Sequence, residues 1–190
     1  EESGTFQQFD HENNGLDDAV LSICAAADGD LLIATWDGLF VWDSKNHKIT
    51  SHYSTDNSNL PDDNIVEILS DAQQRIWLIT DGGGLCRFDT EQRAFINVTM
   101  QHPELFNTIL VTLDSDPLGN LIFGGHDGFV IFNADSNSVQ RFVYDRENTN
   151  GLSHPNVRAF YAPNDSILWI GTANGLNRLN RNTSRFSHFF

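Results

Sequence analysis

Four residues at predicted hairpin tips combine the side-chain types that sugar-binding sites use. An aromatic ring can stack on the C–H face of a sugar, while carboxylates, amides and imidazoles hydrogen-bond its hydroxyl groups. These tips belong to the end of the fold where the long loops lie, and loops on a rigid scaffold are the usual place for recognition. Because Asp and Asn also favour turns for conformational reasons alone, a purely structural role is the alternative. The candidate ligand-binding residues are Trp36, Asp81, His126 and Asn174.

The other groups that could carry chemistry form weaker patterns. Asp28-Gly29-Asp30 and Asp114-Ser115-Asp116 resemble the start of a calcium loop, but the glycine and glutamate that complete such a loop are missing. The seven His have no zinc-binding spacing, and the sequence contains no nucleophile elbow, phosphate-binding glycine loop or dinucleotide fingerprint. For Cys24 and Cys86, two buried thiols are favoured over a disulfide. We therefore predict no catalytic residue, no metal site and no cofactor.

The composition argues against several classes of partner. The 190 residues include 26 Asp and Glu against 11 Lys and Arg, which gives a formal charge of −15. Nucleic acid and anionic membrane surfaces require clustered Lys and Arg, so neither is expected as a partner. No apolar run reaches the roughly 18 residues of a membrane span, so this segment is not expected to insert into a membrane. Asn and Asp contribute 19 residues each, which favours turns over helices and predicts a soluble all-β protein.

The sequence contains a repeat of about 45 residues. Two independent markers recur together, which is the pattern expected of a repeat architecture. A small residue before a turn recurs at spacings of 45, 45 and 47 residues, at Thr35, Thr80, Gly125 and Thr172. A leucine recurs about twenty residues earlier at spacings of 44, 45 and 47 residues, at Leu16, Leu60, Leu105 and Leu152. These markers divide the chain into four equivalent units.

Each unit has the pattern of a small antiparallel sheet. It contains four short segments rich in Val, Ile, Phe and Trp, separated by Asp, Asn and Gly, which predicts four strands, a to d. Four-stranded units of this length that repeat along a chain are typical of β-propeller blades. Trp77 and Trp169 recur at one position of strand b, and we expect them, like Trp42 in strand c, to pack in the core. We predict a single domain over residues 1–190, with blades at 19–53, 64–98, 107–144 and 156–190 and an extra outer strand at 6–9.

Asp-Gly or Asn-Gly pairs stand between strands b and c in three units. Such pairs tolerate the positive φ that a type I′ turn requires at both central positions, so type I′ hairpins are expected. In an antiparallel blade these hairpins emerge at the same end as the long d–a connections, which we place at residues 10–18, 54–63 and 144–155. The predicted turn residues are Asp37, Gly38, Gly84, Asp127, Gly128 and Gly175.

Three motifs of the second unit resemble the two-component regulator propeller repeat. They are Leu-Pro-Asp-Asp-Asn-Ile at 60–65, Ile-Trp-Leu-Ile-Thr at 76–80 and Gly-Gly-Leu-Cys-Arg-Phe-Asp at 83–89. The fourth unit fits equally well, whereas the third departs from the pattern at Ile122 and Phe129. Kelch and tryptophan-aspartate repeats are near alternatives, but neither the glycine pair of the first nor the Gly-His element of the second recurs through the four units. The resemblance covers essentially the whole chain.

This resemblance implies a function. In the family, the propeller is the periplasmic sensor region of a hybrid two-component histidine kinase, ahead of a membrane span. We therefore expect a non-enzymatic, extracytoplasmic sensor segment of an inner-membrane receptor, and the resemblance suggests carbohydrate breakdown products or an oligosaccharide as the ligand. A protein-interaction scaffold is the first alternative. A propeller enzyme, such as a polysaccharide lyase or a lactonase, is the second, because a fold does not determine a function.

The strand count also has a consequence for assembly. Four blades in a row leave an apolar face at each end, where a further blade would pack. We therefore expect self-association through the end blades, for example as a two-chain assembly of eight blades. A closed ring of four blades is the alternative.

Overall fold

The computed structural model describes residue 16, residues 19–102 and residues 109–190. Within these residues, sixteen strands form four antiparallel sheets, and each sheet pairs its four strands in chain order. This is the predicted all-β propeller architecture, with one sheet per blade. The predicted outer strand at residues 6–9 and the marker Leu105 lie outside the described residues.

The strands fall within the predicted blades. Blade 1 contains β1 (Val20–Ala25), β2 (Leu31–Thr35), β3 (Gly38–Asp43) and β4 (Lys48–Tyr53). Blade 2 contains β5 (Ile65–Ser70), β6 (Ile76–Thr80), β7 (Gly84–Asp89) and β8 (Ala94–Asn97). Blade 3 contains β9 (Leu110–Ser115), β10 (Leu121–Gly125), β11 (Gly128–Asn133) and β12 (Ser138–Phe142). Blade 4 contains β13 (Val157–Asn164), β14 (Ile167–Thr172), β15 (Gly175–Asn180) and β16 (Arg185–Phe189).

The blades stand side by side in chain order. Their first strands are adjacent, because β1 contacts β5, β5 contacts β9 and β9 contacts β13. Three buried apolar clusters fill the interfaces between successive blades. On the outer sides of blades 1 and 4, apolar side chains are exposed, including Ile23 (57%) and Tyr161 (65%). The described residues therefore form an open arc, and the alternative of a closed four-blade ring is wrong.

Two of the repeated leucines anchor the connections between blades in the core. Leu60 lies in the core between blades 1 and 2, and Leu152 lies in the core between blades 3 and 4. Next to Leu60, the Asn59 side chain donates to the Phe95 carbonyl (2.6 Å) and accepts from the Phe95 amide (3.0 Å). The buried leucine and these two hydrogen bonds fasten the connection to the outer strand of blade 2.

Cys24 and Cys86 lie in the same core, between blades 1 and 2. Both are buried free thiols, as predicted. Burial raises the pKa of the Cys24 thiol, and it raises the pKa of Cys86 to about 12. Both side chains are therefore protonated at neutral pH and act as small apolar groups in the core.

The a–b turns of blades 2 and 3 contain buried carboxylates. Asp71 accepts hydrogen bonds from Arg75 Nε (2.6 Å) and Trp77 Nε1 (2.8 Å). Asp116 accepts from two backbone amides of its own turn (2.9 and 2.8 Å), and Arg181 Nη1 of blade 4 reaches it at 2.5 Å. Asp116 belongs to one of the segments that resemble the start of a calcium loop. In the structure its carboxylate stabilises the turn and an ion pair between blades.

Blade 2 departs from the prediction at its outer strand. We predict strand d over residues 94–98, but β8 ends at Asn97 and a short helix, α1 (Val98–Gln101), follows. The Asn97 side chain accepts a hydrogen bond from the Met100 amide (2.9 Å), which caps the helix. Within α1, the Thr99 hydroxyl accepts from the Leu85 amide (2.8 Å). The Thr99 hydroxyl thereby takes the place of the strand that would have hydrogen-bonded the Leu85 amide of β7 if β8 were longer.

Candidate ligand-binding rim

The b–c hairpins and the d–a connections lie at one end of the blades, as predicted, and are here called the hairpin rim. It comprises residues 36–37, 54–64, 81–83, 126–127, 144–156 and 173–174. Within a blade, the hairpin is bonded to the residue that leads into strand a. The Asp81 amide donates to the Asn64 carbonyl (3.0 Å) in blade 2, and the Ala173 amide donates to the Asn156 carbonyl (2.9 Å) in blade 4.

A second set of backbone bonds joins neighbouring blades at the hairpin rim. The Gly38 amide of blade 1 donates to the Asp63 carbonyl at the entrance of blade 2 (2.8 Å). The Gly128 amide of blade 3 donates in the same way to the Pro155 carbonyl at the entrance of blade 4 (2.8 Å). Hairpins and connections are therefore one hydrogen-bonded surface and not independent loops.

A threonine hydroxyl fixes the hairpins of blades 1 and 4. Thr35 Oγ1 accepts from the Asp37 amide (3.0 Å) and donates to the Gly38 carbonyl (3.0 Å). Thr172 Oγ1 donates to the Gly175 carbonyl (2.9 Å) and accepts from the amide two residues after it (3.2 Å). The recurrence of this threonine is visible in the sequence. Its hydrogen-bonding role depends on the turn geometry and was not predicted.

Blades 2 and 3 vary this arrangement. In blade 2, Thr80 Oγ1 accepts from the Gly83 amide (3.0 Å) of a turn that is one residue longer. In blade 3 the threonine is replaced by Gly125, and a Cβ atom at this position would lie 1.7 Å from the Ile109 carbonyl oxygen. A close approach of the backbone therefore explains why the third unit has glycine here.

The hairpins are not the predicted type I′ turns. Thr35 pairs with Gly38, so the two turn residues are Trp36 and Asp37. Gly38 has a positive φ of 98°, whereas Trp36 and Asp37 do not have positive φ. Glycine therefore follows the turn, as at the fourth position of a type I turn. A Cβ atom at Gly38 would lie 2.1 Å from the Tyr53 carbonyl oxygen, so close packing as well as φ requires glycine.

The other predicted turn residues lie where the repeat places them. Each glycine begins its strand c and has positive φ, at Gly84 (73°), Gly128 (107°) and Gly175 (96°). Asp127 is the second residue of its turn, and its carboxylate accepts from Arg141 Nη2 (3.1 Å). The predicted turn type was wrong because a type I′ turn needs the Asp-Gly pair at both of its central positions. Here Asp is the second central residue, and Gly is the residue that follows the turn.

The four candidate residues lie on four different blades of the hairpin rim, and all four are exposed. Trp36, Asp81 and His126 each come first in their turns. Asn174 comes second, so that Ala173 is the counterpart of Trp36. The structure thus places the four side chains at the same end of their blades, without bringing them into any of the pockets described below.

Trp36 differs from the tryptophans of the core. It is 57% exposed, whereas Trp42 is 8% and Trp77 is 2% exposed. The turn that carries Trp36 is held by the Thr35 hydroxyl and by the hydrogen bond between Gly38 and the next blade. A large aromatic surface is therefore displayed on a backbone with little freedom to move.

Polar groups lie beside Trp36 on the same blade. The His52 ring stacks on Phe40, with centroids 4.1 Å apart and an interplanar angle of 5°. His52 Nε2 contacts the Asp37 carbonyl oxygen and lies 3.6 Å from the Asp37 carboxylate. An aromatic ring, an imidazole and a carboxylate are thus gathered at the tip of blade 1. The sequence analysis did not predict His52 at this tip, because its position depends on how β4 pairs with β3.

The connection next to this tip is also well fixed. The Asp63 carboxylate accepts from the Thr55 amide (2.6 Å) and the Thr55 hydroxyl (2.9 Å). The Ser58 hydroxyl donates to the Ser54 carbonyl (2.6 Å). A surface that is already ordered loses less conformational entropy when a ligand binds.

Three pockets in the described part of the chain lie elsewhere. A pocket of about 60 Å³ between blades 1 and 2 contacts Tyr53 and Arg93. A pocket of about 180 Å³ between blades 2 and 3 contacts Trp77 and His102. A groove of about 320 Å³ on the outer face of blade 1, here called the blade 1 groove, is lined by Leu16, Val20, Ile23, Leu31, Ile33, Trp42 and Ile49.

Two further features of the described residues concern metals and membranes. Among them, we find no group of three or more His, Cys, Asp or Glu side chains placed to hold a metal ion. The one helix in the described residues, α1, is too short to cross a bilayer.

No family model and no curated protein matches this sequence. Solved structures do match its fold. The extracellular domain of BT3049 from B. thetaiotaomicron, named as a hybrid two component system, has a TM-score of 0.79 and 20% identity, covering 97% of this chain and 26% of that one. The extracellular domain of BT4673 from the same organism, named likewise, has a TM-score of 0.73 and 21% identity, covering 90% of this chain and 23% of that one.

An enzyme also shares the fold. Virginiamycin B lyase from Staphylococcus aureus has a TM-score of 0.65 and 14% identity, covering 90% of this chain and 55% of that one. Identities this low show a common fold and no more. This chain spans about a quarter of the length of the two receptor domains.

Proposed function

We propose that this chain is a propeller segment of an extracytoplasmic sensor, and that its hairpin rim binds a carbohydrate through Trp36. One observation carries the proposal: Trp36 exposes 57% of its surface on a turn that side-chain and backbone hydrogen bonds hold rigid. A tryptophan with only a packing role would be covered, as Trp42 and Trp77 are. The resemblance of the repeats to the two-component regulator propeller family supports the sensor role.

The groups around Trp36 suit a sugar. Its ring offers a face for the C–H groups of a pyranose, and Asp37 and His52, which contact each other at the same hairpin tip, offer hydrogen-bonding groups. Asp81, His126 and Asn174 lie on the other blades of the same rim, where a longer oligosaccharide would contact them. Their role in the proposal is to add hydrogen bonds to a contact that Trp36 anchors.

As a sensor, the propeller would act on a conformational equilibrium of its receptor. A ligand shifts such an equilibrium only by binding one state more tightly than the other. The hairpin rim joins successive blades through backbone bonds, such as that between Gly38 and Asp63. Binding across two blades would therefore favour one relative placement of those blades. The attached histidine kinase is part of this proposal and not of the described structure.

The proposal is tested by measuring oligosaccharide binding to the wild-type chain and to Trp36→Ala. Thermal-shift screening finds the oligosaccharides that bind, and isothermal titration calorimetry then compares affinities. Loss of a stacked aromatic side chain from a binding surface should weaken binding at least tenfold, in the range of interface aromatics. Leu118→Ala is the matched control, because Leu118 is 53% exposed on the a–b turn of blade 3, at the end of the blade opposite to the hairpin rim.

Three other outcomes would count against the proposal. Equal affinity of Trp36→Ala and wild type would remove Trp36 from the site. Binding by a protein partner in the absence of any sugar would favour the scaffold alternative. Cleavage of the oligosaccharide during the titration, followed by chromatography with and without calcium, would favour the enzyme alternative.

A further inference from the structure

The pocket between blades 2 and 3, here called the blade 2–3 pocket, contains an arginine where the other interfaces have aliphatic side chains. Arg87 is the fourth residue of β7 and pairs with Trp77, which packs against Phe132 of the next blade. The same position is Val41 in blade 1 and Ile131 in blade 3, and both pack into the apolar cluster that the next blade shares. A guanidinium group therefore lies where the repeat otherwise has a hydrocarbon side chain.

Arg87 has no counter-charge. It is partly buried, and within the part of the chain that the structure describes it makes no hydrogen bond and no ion pair. Arg75 of the same pocket differs, because its guanidinium donates to Asp71 (2.6 Å), Asp135 (2.5 Å) and Gln73 (3.3 Å). A charge that is taken partly out of water is normally paired, because a partner offsets the cost of desolvation. The protein thus supplies partners for Arg75 and none for Arg87.

The lining of the pocket favours a negatively charged ligand. Gln101 and His102 come from α1 and the residue after it, and Asn137 comes from the c–d turn of blade 3. Among the described residues that line this pocket, none is acidic, although the chain has 26 acidic and 11 basic residues. The pocket between blades 1 and 2 has Asp28 and Asp30 in its lining instead. The blade 2–3 pocket is therefore a locally positive site on a negatively charged protein.

The blade 2–3 pocket is also the larger of these two pockets. It measures about 180 Å³, against about 60 Å³ between blades 1 and 2. In blade 1 the outer strand β4 continues to Tyr53, whereas β8 ends at Asn97 and α1 follows, with Val98 in the pocket lining. Its volume would hold about six water molecules at the roughly 30 Å³ that each occupies in the liquid. The pocket therefore has room for a ligand no larger than one small ring.

These groups suit a singly charged hydroxy acid. A guanidinium binds a carboxylate through two parallel N–H···O hydrogen bonds. The amide side chains of Gln101 and Asn137 can donate to hydroxyl groups and accept from them. A doubly charged anion would bring a second negative charge to a protein of formal charge −15, with one unpaired guanidinium to meet it.

We propose that the blade 2–3 pocket binds a small hydroxy acid, whose carboxylate pairs with the Arg87 guanidinium. The ligand does for Arg87 what Asp71 and Asp135 do for Arg75. The site shares no residue with the hairpin rim, so the inference does not rest on the proposed carbohydrate binding at Trp36. Both walls of the pocket belong to described blades, and the site is independent of whatever adjoins blades 1 and 4.

The test is an NMR titration of the isotope-labelled chain with D-glucuronate and with L-lactate. The indole N–H of Trp77 and the Nε–H of Arg87 report on the pocket itself. At least one of the two acids should shift both signals until they saturate. D-Glucose, which has the ring and hydroxyl groups of glucuronate without its charge, should not shift them. Inorganic sulfate should bind more weakly than the acid, and equal affinity for sulfate would overturn the assignment to a carboxylate.

Three variants locate the binding. Arg87→Gln removes the charge and should weaken binding at least about tenfold, the range of a hydrogen bond to a charged group. Ile96→Glu keeps Arg87 but places a carboxylate beside it, because Ile96 pairs with Arg87 across β7 and β8, and it should block the site to a similar degree. Arg178→Gln is the matched control, since it removes the same charge from the equivalent position of blade 4, outside the three pockets.

Several outcomes would overturn the proposal. Unchanged affinity in Arg87→Gln, or an equal loss in Arg178→Gln, would mean that overall charge and not this pocket attracts the acid. The absence of a saturable shift with either acid would leave Arg87 a purely structural residue. The spread of the amide signals shows whether each variant is folded. If Arg87→Gln is unfolded, Ile96→Glu decides the test, because its new charge pair lies within the sheet and supports the fold. Trp36→Ala should bind the acid as the wild type does, which separates this site from the hairpin rim.

Discussion

Blades 2 and 4 carry a tryptophan at the same position of strand b, in two different environments. Trp77 is 2% exposed, with Phe132 of blade 3 packed against its ring. Trp169 is partly exposed and contacts Phe189 of its own blade, with ring centroids 5.7 Å apart. The residue type and the sheet register are the same. The presence of a following blade therefore determines whether the tryptophan at this position is buried or partly exposed.

The buried tryptophan has polar support as well as packing. Its indole nitrogen donates to Asp71, and Arg75 lies over the ring with its guanidinium carbon 5.6 Å from the centroid. Arg75 also reaches Asp135 of blade 3 at 2.5 Å. The interface between blades 2 and 3 thus combines an apolar cluster with a hydrogen-bonded edge, and the comparison with blade 4 can be tested on each part.

The largest expected effect is the difference between two tryptophan deletions. Trp77→Ala removes a buried side chain from an interface between blades, which costs about 4 kcal/mol of unfolding free energy. Trp169→Ala removes a side chain that is covered on one side only, and the loss should be less than half as large. Urea denaturation followed by circular dichroism measures both values. Equal losses would show that position in the repeat, and not the following blade, determines the contribution.

The second prediction concerns the carboxylate beneath Trp77. Burial alone would raise the pKa of Asp71, but hydrogen bonds from Trp77 and Arg75 outweigh it and hold this pKa below its ordinary value. Asp71→Asn leaves the Arg75 guanidinium without its buried partner, so we expect a loss of about 3 kcal/mol at pH 7. Asp135→Asn, at the other end of Arg75 and 63% exposed, should cost at most about 1 kcal/mol.

The same prediction has a pH dependence with a definite sign. Because the folded-state pKa of Asp71 is lowered, its contribution to stability is present above the ordinary Asp pKa of about 3.9 and is lost as the pH falls through the folded-state value. The difference between wild type and Asp71→Asn should therefore shrink below about pH 4. A difference that stays constant down to pH 2 would mean that the carboxylate charge is not what stabilises the turn.

The repeat made the blades predictable, because its markers have structural causes that act locally. Leu60 recurs as Leu152 because both anchor their connections in the core, and Gly38 recurs because strand d passes too close for a side chain. Helix α1 was not predicted, because residues 94–98 have strand character and only the Asn97 cap favours a helix. Propensity over a window of five residues cannot decide such a competition.

The site was less predictable than the blades. The exposure of Trp36 follows from its place in a turn, and the turn is readable from the sequence. The proximity of His52 is not, because it depends on strand pairing between β3 and β4, which matches Phe40 with His52. The role of Thr35 also required the hairpin geometry, since its hydroxyl bonds residues two and three positions ahead.

The inner strands show a second contrast between covered and uncovered blades. Glu67 of β5 accepts from the Leu113 amide of β9 (2.5 Å), which links blade 2 to blade 3. Ser22, its counterpart in blade 1, bonds the backbone of Ile68 in blade 2 (3.3 Å). In blade 4 the equivalent residue is Ala159, which has no side-chain oxygen. A polar side chain is thus found at this position in the three blades that another blade follows: Ser22 and Glu67 hydrogen-bond the backbone of the next blade, and Thr112 of blade 3 hydrogen-bonds Glu67 of the blade before it.

The smallest expected effect comes from neutralising Glu67. Burial raises the pKa of this carboxyl, and the nearby Asp114 carboxylate raises it further, although the Leu113 amide partly opposes the shift. Because the folded-state pKa lies above the unfolded value, the contribution of Glu67 to stability is complete below about pH 4.3 and is lost as the pH rises through the folded-state value.

Glu67→Gln keeps an acceptor for Leu113 without the buried charge, so it should stabilise the fold at pH 7 by less than about 1 kcal/mol. Glu91→Gln, the same change on an exposed turn, should have no comparable effect. Denaturation at pH 7 and pH 4 tests this prediction. If a buried charge is the cause, the gain in unfolding free energy from Glu67→Gln must be smaller at pH 4. A gain of equal size at both pH values would assign it to packing instead.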